Sequence, residues 1–136
     1  MLNSLTFISC NKESDITVLH NRIDELADIV EDHKENKLSD YLAKDFVTGE
    51  NLNQSQFLLF SRYHLKRNKK ISIIIVDRNV IVNNDVFDVK FRVLLVGSNS
   101  LFPERGQTYT IYSRWNKEEG TWMMSRLRWE SFKTNE

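Results

Sequence analysis

Residues 87–95 read Phe87-Asp88-Val89-Lys90-Phe91-Arg92-Val93-Leu94-Leu95. Successive side chains of an extended strand point to opposite faces. The period of two therefore predicts a strand that buries Phe87, Val89, Phe91, Val93 and Leu95 and turns Asp88, Lys90 and Arg92 the other way. Working outward, Ile71-Ser72-Ile73-Ile74-Ile75-Val76 is β-branched and too apolar to be exposed on both faces. Val80-Ile81-Val82 follows, and Asn83-Asn84-Asp85 has the composition of a hairpin turn. On the other side, Gly97 to Arg105 reads as a loop holding the only proline, Pro103. Beyond it Tyr109, Ile111, Ser113 and Trp115 alternate with Thr108, Thr110, Tyr112 and Arg114. Lys117-Glu118-Glu119-Gly120 is a second turn. The last strand runs from Trp122 to about Phe132, with Met123, Leu127 and Trp129 on one face and Arg126, Arg128 and Glu130 on the other.

Helical periodicity precedes the strands. Ile16, Leu19, Ile23, Leu26 and Val30 recur at three and four, with Ser14 or Asp15 as N-cap, which predicts an amphipathic helix from about Asp15. Leu38, Tyr41, Leu42 and Phe46 predict a second, shorter helix that stops near Gly49. Asn53 or Ser55 opens a third, with Phe57, Leu58, Phe60 and Leu65 as its apolar positions. Arg62, Lys66, Arg67, Lys69 and Lys70 cluster at its end, where cations complement the helix dipole. The order predicts an α+β domain: N-terminal helices packed on the concave side of a strongly curved antiparallel sheet of about four strands. The stronger apolar alternation suggests that the Phe91 face meets the helices.

Composition limits the function. The chain has 136 residues, enough for one domain with a real core. It divides into an N-terminal tether or signal remnant, 1–14, and a domain at 15–133. Lys+Arg and Asp+Glu both number 19, and a net charge of zero argues against a broad nucleic-acid surface. A single Cys excludes an intramolecular disulfide and any cysteine-based zinc site. His20, His33 and His64 form no metal-ligand spacing. Four glycines leave no phosphate-cradling loop, and no cofactor is expected.

The pattern resembles the nuclear-transport-factor-2-like superfamily, which includes SnoaL-like cyclases and ketosteroid isomerases. The resemblance is carried by Leu38 through Phe46, by the strand–turn–strand Val80 to Val89, and by the hairpin Arg114-Trp115-Asn116-Lys117-Glu118-Glu119-Gly120-Thr121-Trp122. Leu101-Phe102-Pro103-Glu104-Arg105-Gly106, Tyr109 and the terminal Arg128-Trp129-Glu130 resemble a bacterial branch of small envelope lipoproteins. Phe7-Ile8-Ser9-Cys10 is also similar to a lipoprotein cleavage box, in which Cys10 carries the lipid. The basic stretch that normally precedes such a box is missing, the apolar region is short, and Phe7 is not the usual residue at its place. Met1 would then be a truncated or misassigned start. Otherwise Cys10 is a buried thiol in a frayed or extended N-terminus, and the protein is cytoplasmic.

The resemblance implies a site inside the cone, between helices and sheet, and homodimerisation through the sheet. Candidate pocket residues are Tyr41 and Asp45, four apart, and Tyr63 beside His64 at the end of the third helix. Arg92, Arg114, Arg126 and Arg128 share strand parity opposite Phe91, Trp115, Leu127 and Trp129. They form either a solvated outer face held by cross-strand ion pairs, the favoured reading, or a pocket wall whose guanidinium forks suit carboxylate or phosphate. His20 and Asp24 share a helix face beside the apolar stripe, where exposure is expected.

Three functions fit. The first, preferred, is a non-catalytic module of the bacterial cell envelope that binds a small apolar or anionic ligand or a protein. The second is a small isomerase, cyclase or dehydratase using Tyr41 or Asp45 with an arginine. The third is an interaction module dimerising through its sheet.

Overall fold

The architecture comes from a computed structural model that describes residues 3–97 and 107–131. Helix α1 spans Asn3–Glu31 and is followed by a short 3-10 segment, Glu35–Tyr41. Strand β1 is Leu42–Thr48 and helix α2 is Gln54–Arg67. Strands β2 (Ile71–Asn83), β3 (Val86–Gly97), β4 (Gln107–Glu118) and β5 (Thr121–Ser131) complete the chain. They form one five-stranded sheet in the order β1-β5-β4-β3-β2. The motif at 101–106 lies outside the described residues.

The hairpins form where turn chemistry places them. Asn84 takes a left-handed conformation (φ 54°) between β2 and β3, which asparagine tolerates. Glu119 (φ 50°) and Gly120 (φ 82°) make the two-residue turn between β4 and β5, and both positive angles match the twist of the flanking strands. Phe87 lies opposite Trp115, Val89 opposite Ser113, Phe91 opposite Ile111 and Val93 opposite Tyr109. The Phe91 face is the one that meets the helices: Phe87, Val89, Phe91 and Val93 are buried with Leu19 and Ile23 of α1.

Three expectations need correction. The stretch expected as a second helix is the 3-10 segment followed by β1, which pairs in parallel with β5, so the sheet is mixed rather than antiparallel. The spacing of Leu38, Tyr41, Leu42 and Phe46 fits a helix, but β5 would otherwise present an unpaired edge. Pairing satisfies its backbone groups while Leu42, Ala43, Phe46 and Thr48 are buried. Secondly, α1 begins at Asn3, not near Asp15, so residues 3–14 are continuous with the helix. Thirdly, the register of β5 slips between Met124 and Arg126, with Ser125 as the extra residue. This bulge turns Met124 rather than Met123 into the core, while Leu127 and Trp129 keep the expected face. Ser125 Oγ donates to Asn116 Oδ1 at 2.6 Å, tying the bulge to β4. A second bulge, between Val76 and Asn79, interrupts β2 around Asp77 (φ 57°).

The concave side has two halves. At the turn end it is solid: Trp115 is 1% exposed and packs with Phe87, Trp122 and Met124. Trp115 Nε1 donates to Ser113 Oγ (3.0 Å), which donates to the Val89 carbonyl (3.1 Å), so the polar atoms in this core are paired. At the opposite end, where Val93 faces Tyr109, the interior is hollow.

Candidate functional site

The hollow end is a cavity of about 420 Å³ between α2, the end of α1 and the sheet. The sheet supplies Ile71, Ile73, Val93, Leu95, Tyr109, Ile111, Leu127 and Trp129, and Val30 closes it from α1. Helix α2 supplies Phe57, Phe60, Ser61, His64 and Leu65, and Asn68 follows at its C-cap. These α2 positions fall at three and four apart, one face of a helix. Asn53 fixes the phase of α2: its side chain accepts from Gln56 N, and the Gln56 side chain accepts from Asn53 N, both at 2.9 Å.

Aromatic rings build one wall. Phe57 and Phe60 are stacked with centroids 6.2 Å apart, and Phe60 and Trp129 stack at 5.8 Å. The polar groups are few. Ser61 is buried. Burial pushes the Tyr109 phenol above its ordinary pKa, so it is neutral at physiological pH. The His64 ring packs 4.4 Å from Phe60 and edge-on to Tyr63, and no hydrogen bond reaches it among the described residues. Asn68 is 0% exposed, and its Oδ1 has no hydrogen-bond partner among the described residues. An unmade bond of this kind costs about 1–3 kcal/mol. Among the described residues the lining contains no carboxylate.

None of the seven candidate pocket residues lines this cavity. The Tyr41 hydroxyl donates to Glu25 Oε1 (2.8 Å) beneath the Arg22 guanidinium, at the outer surface of α1. Burial and the Glu25 carboxylate raise the Tyr41 pKa. Asp45 is exposed on β1, because the extended backbone sends it opposite to Phe46. Tyr63 is 56% exposed, on the far side of α2 from the cavity, with Arg67 over its ring.

The four arginines lie on the convex side of the sheet, opposite the buried Phe91 face. Arg114 donates to Asp88 through two nitrogens, at 2.8 and 3.2 Å, across directly opposed positions of β3 and β4. That guanidinium holds the Asp88 carboxyl below its ordinary pKa, against a smaller opposing effect of burial. Arg128 stacks 3.9 Å over Tyr112 and bonds Glu130 at 2.6 Å, and Arg92 pairs with Asp77 at 3.5 Å. Arg114, Arg126 and Arg128 line a second hollow, on this side of the sheet, of about 510 Å³ with Lys90 and Tyr112. Arg92, Arg114 and Arg128 are ion-paired as the favoured reading expects, while Arg114, Arg126 and Arg128 also border this hollow. His20 and Asp24 also sit outside the cavity, where both contact Arg78 of β2.

Ser61, Asn68 and Tyr109 are not among the expected pocket residues, Tyr109 entering only as a strand position and as part of the lipoprotein-like motif. The signal was present. Extending the stripe Phe57, Phe60, His64 through its polar members gives Ser61 and Asn68, and Tyr109 has the parity of Ile111.

No family model matches the chain, and no curated protein matches it. Solved structures do. An NTF2-like protein from Cytophaga hutchinsonii superposes with a TM-score of 0.70 at 14% identity, over 85% of this chain and 97% of that one. The fold is nuclear-transport-factor-2-like. Hexachlorocyclohexane dehydrochlorinase LinA-type3 from Novosphingobium barchaimii is similar at a TM-score of 0.74 and 14% identity, over 90% of each chain. Bd1075 from Bdellovibrio bacteriovorus gives 0.74 at 13% identity over 86% of this chain, which spans only 40% of that one. At these identities the likeness establishes the nuclear-transport-factor-2-like architecture and no activity.

Proposed function

We propose that this domain binds a small, largely apolar ligand inside the cone and does not act on it. The observation that carries this reading is the hollow end of the concave face: an aromatic and aliphatic cavity with four scattered polar groups. The described lining contains no carboxylate, and the His64 ring is held by Phe60 with no hydrogen-bonding partner among the described residues. A catalytic base is commonly oriented by a third group, and none is in place beside His64 among the described residues. Tyr41, Asp45 and the arginines, which an isomerase or dehydratase reading would use, lie outside the cavity. The same placement favours an apolar ligand over an anionic one.

An envelope address completes the proposal and rests on Phe7-Ile8-Ser9-Cys10 and on the resemblance of Leu101 to Gly106, Tyr109 and Arg128-Trp129-Glu130 to small envelope lipoproteins. An N-terminal peptide that begins at Cys10 with added acyl mass supports it, and an unmodified Met1 on protein from the native cell removes it.

The ligand reading is tested by titrating the protein with 1-methylnaphthalene under native mass spectrometry and by fluorescence, since Trp129 borders the cavity. One-to-one binding that Ile111→Trp abolishes, with helix and sheet signals retained, is the expected result. No binding by either method overturns the reading.

A further inference from the structure

We propose that the outer face of α2 docks on an anionic phospholipid bilayer. This face is separate from the cavity, and its docking does not depend on the cone being a ligand site.

Helix α2 carries two stripes. The inner one walls the cavity. The outer one is Leu59, Arg62, Tyr63, Lys66 and Arg67, spaced as one face of a helix, and every member is exposed. Lys69 and Lys70, exposed just past the C-cap, extend it. Leu59 is 63% exposed and Tyr63 56%. Five of the chain's 19 Lys and Arg residues thus fall between Glu50 and Asp77, a segment with no Asp or Glu. The chain is neutral only because the remainder carries an acidic excess.

None of these five cations makes an ion pair among the described residues, and Arg67 instead lies 5.5 Å over the Tyr63 ring. Glu31, at the end of α1, gives a carboxylate oxygen to the Ile73 N–H rather than to a lysine. The convex side of the sheet differs, since Arg92, Arg114 and Arg128 have carboxylate partners there.

The helix dipole does not account for the pattern. Its effect is confined to the last turn, where Lys66 and Arg67 already stand. The carbonyls of His64 and Leu65 also accept from Asn68, so the end of the helix is closed. Arg62 lies before that turn and Lys69 and Lys70 beyond it. Nor does folding gain from Leu59 left in water. An anionic bilayer uses both kinds of residue. Its headgroups attract the cations, whose stems lie along the surface, while Leu59 and Tyr63 enter the boundary between headgroups and acyl chains. A nucleic acid or an acidic protein would engage the charges and leave Leu59 in water, so the bilayer is the better fit.

The test is co-sedimentation of the full chain, made without acylation so that Cys10 cannot anchor it. The vesicles are phosphatidylcholine alone and an equal mixture of phosphatidylcholine and phosphatidylglycerol. The expected result is binding to the mixed vesicles only, lost at high salt. Lys66→Gln combined with Lys70→Gln should weaken it about 25-fold, about fivefold for each cation. Leu59→Ser should weaken it about fivefold, and the indole added by Leu59→Trp should emit at shorter wavelength on mixed vesicles. The substituted side chains are exposed, so circular dichroism should show the wild-type fold in every variant. Absence of binding to mixed vesicles at low salt overturns the docking. So does binding that the paired lysine variant leaves unchanged, because the contact then lies elsewhere. Binding that Leu59→Ser leaves unchanged, and that polyglutamate in solution reproduces, marks a face for acidic macromolecules, and the bilayer reading falls. None of these outcomes bears on the cone, which the methylnaphthalene titration tests separately.

Discussion

The two faces of this sheet are built from alternate residues of the same strands, yet they do different physical work. On β3, Val89 is buried and Lys90 is exposed; on β4, Trp115 is buried and Arg114 is exposed. The concave face gains from removing large side chains from water, a term proportional to apolar area. The convex face gains from ion pairs and cation–π contacts such as Arg114–Asp88 and Arg128–Tyr112, which water screens. The difference teaches where function can reside. A charged stripe attracts attention in a sequence, but charges that already neutralise one another on an open surface have little left for a ligand. The hollow in the apolar face has unspent contacts, and those are what a ligand can complete.

The comparison breaks first at Trp115. Trp115→Ala should cost about 3–5 kcal/mol, because it opens a cavity in the solid half and leaves Ser113 Oγ without its donor. Chemical denaturation measures this. A cost below about 1 kcal/mol would mean that the concave face is not the core. Phe60, on the wall of the hollow half, is 37% exposed and has less to lose. Phe60→Ala should lower stability by about 1 kcal/mol and weaken binding of 1-methylnaphthalene by about tenfold, since it removes one ring of the stacked wall. Equal binding by both proteins would place the ligand elsewhere.

The third step crosses to the convex face. Arg114 holds the Asp88 carboxyl below its ordinary range in the folded chain. The pair therefore contributes fully above roughly pH 4, the value of an unfolded aspartate. Its contribution is lost as pH falls through the lower folded value. At neutral pH Asp88→Asn should cost no more than about 1 kcal/mol. The variant should also show a shallower loss of stability below roughly pH 4 than the wild type. Parallel acid limbs in the two proteins would show that the bidentate contact is not maintained in solution.

Much of this was legible in the sequence, and the limits have physical causes. Strand parity read from Phe87 to Leu95 identified the buried face, and the turn residues at 83–85 and 117–120 set both hairpins, because these signals are local. Strand β1 was misread because Leu38, Tyr41, Leu42 and Phe46 satisfy a helical period by coincidence, while the pairing that makes β1 a strand comes from β5, more than seventy residues away. The inward turn of Met124 depends on a bulge, which alternation cannot register. The site was missed for a different reason. Ionisable residues stand out in a sequence, whereas the polar groups in the cavity are mostly neutral and sit inside an apolar stripe, where Ser61 and Asn68 look like interruptions rather than members.

The smallest effect is the most discriminating. Arg126 lies directly opposite Arg114 in the ladder between β4 and β5, and has no partner among the described residues. Like charges directly across a sheet are unfavourable by a few tenths of a kcal/mol. If the convex face were a working anion site, Arg126 would be its free cation, and removing it would leave stability untouched while abolishing binding. If the face is only a solvated wall, Arg126→Thr should instead stabilise the domain slightly, by about 0.2–0.5 kcal/mol, because it relieves the repulsion and places a β-branched residue in a strand. The gain should shrink at high salt, since screening already weakens the repulsion in the wild type. Equilibrium denaturation at low and high ionic strength, with inorganic phosphate as an added probe, separates the cases. A salt-sensitive gain and no response to phosphate keep the two faces in the roles described. A loss of stability, or a phosphate effect present in the wild type and absent in the variant, would return the arginine stripe to the list of binding surfaces.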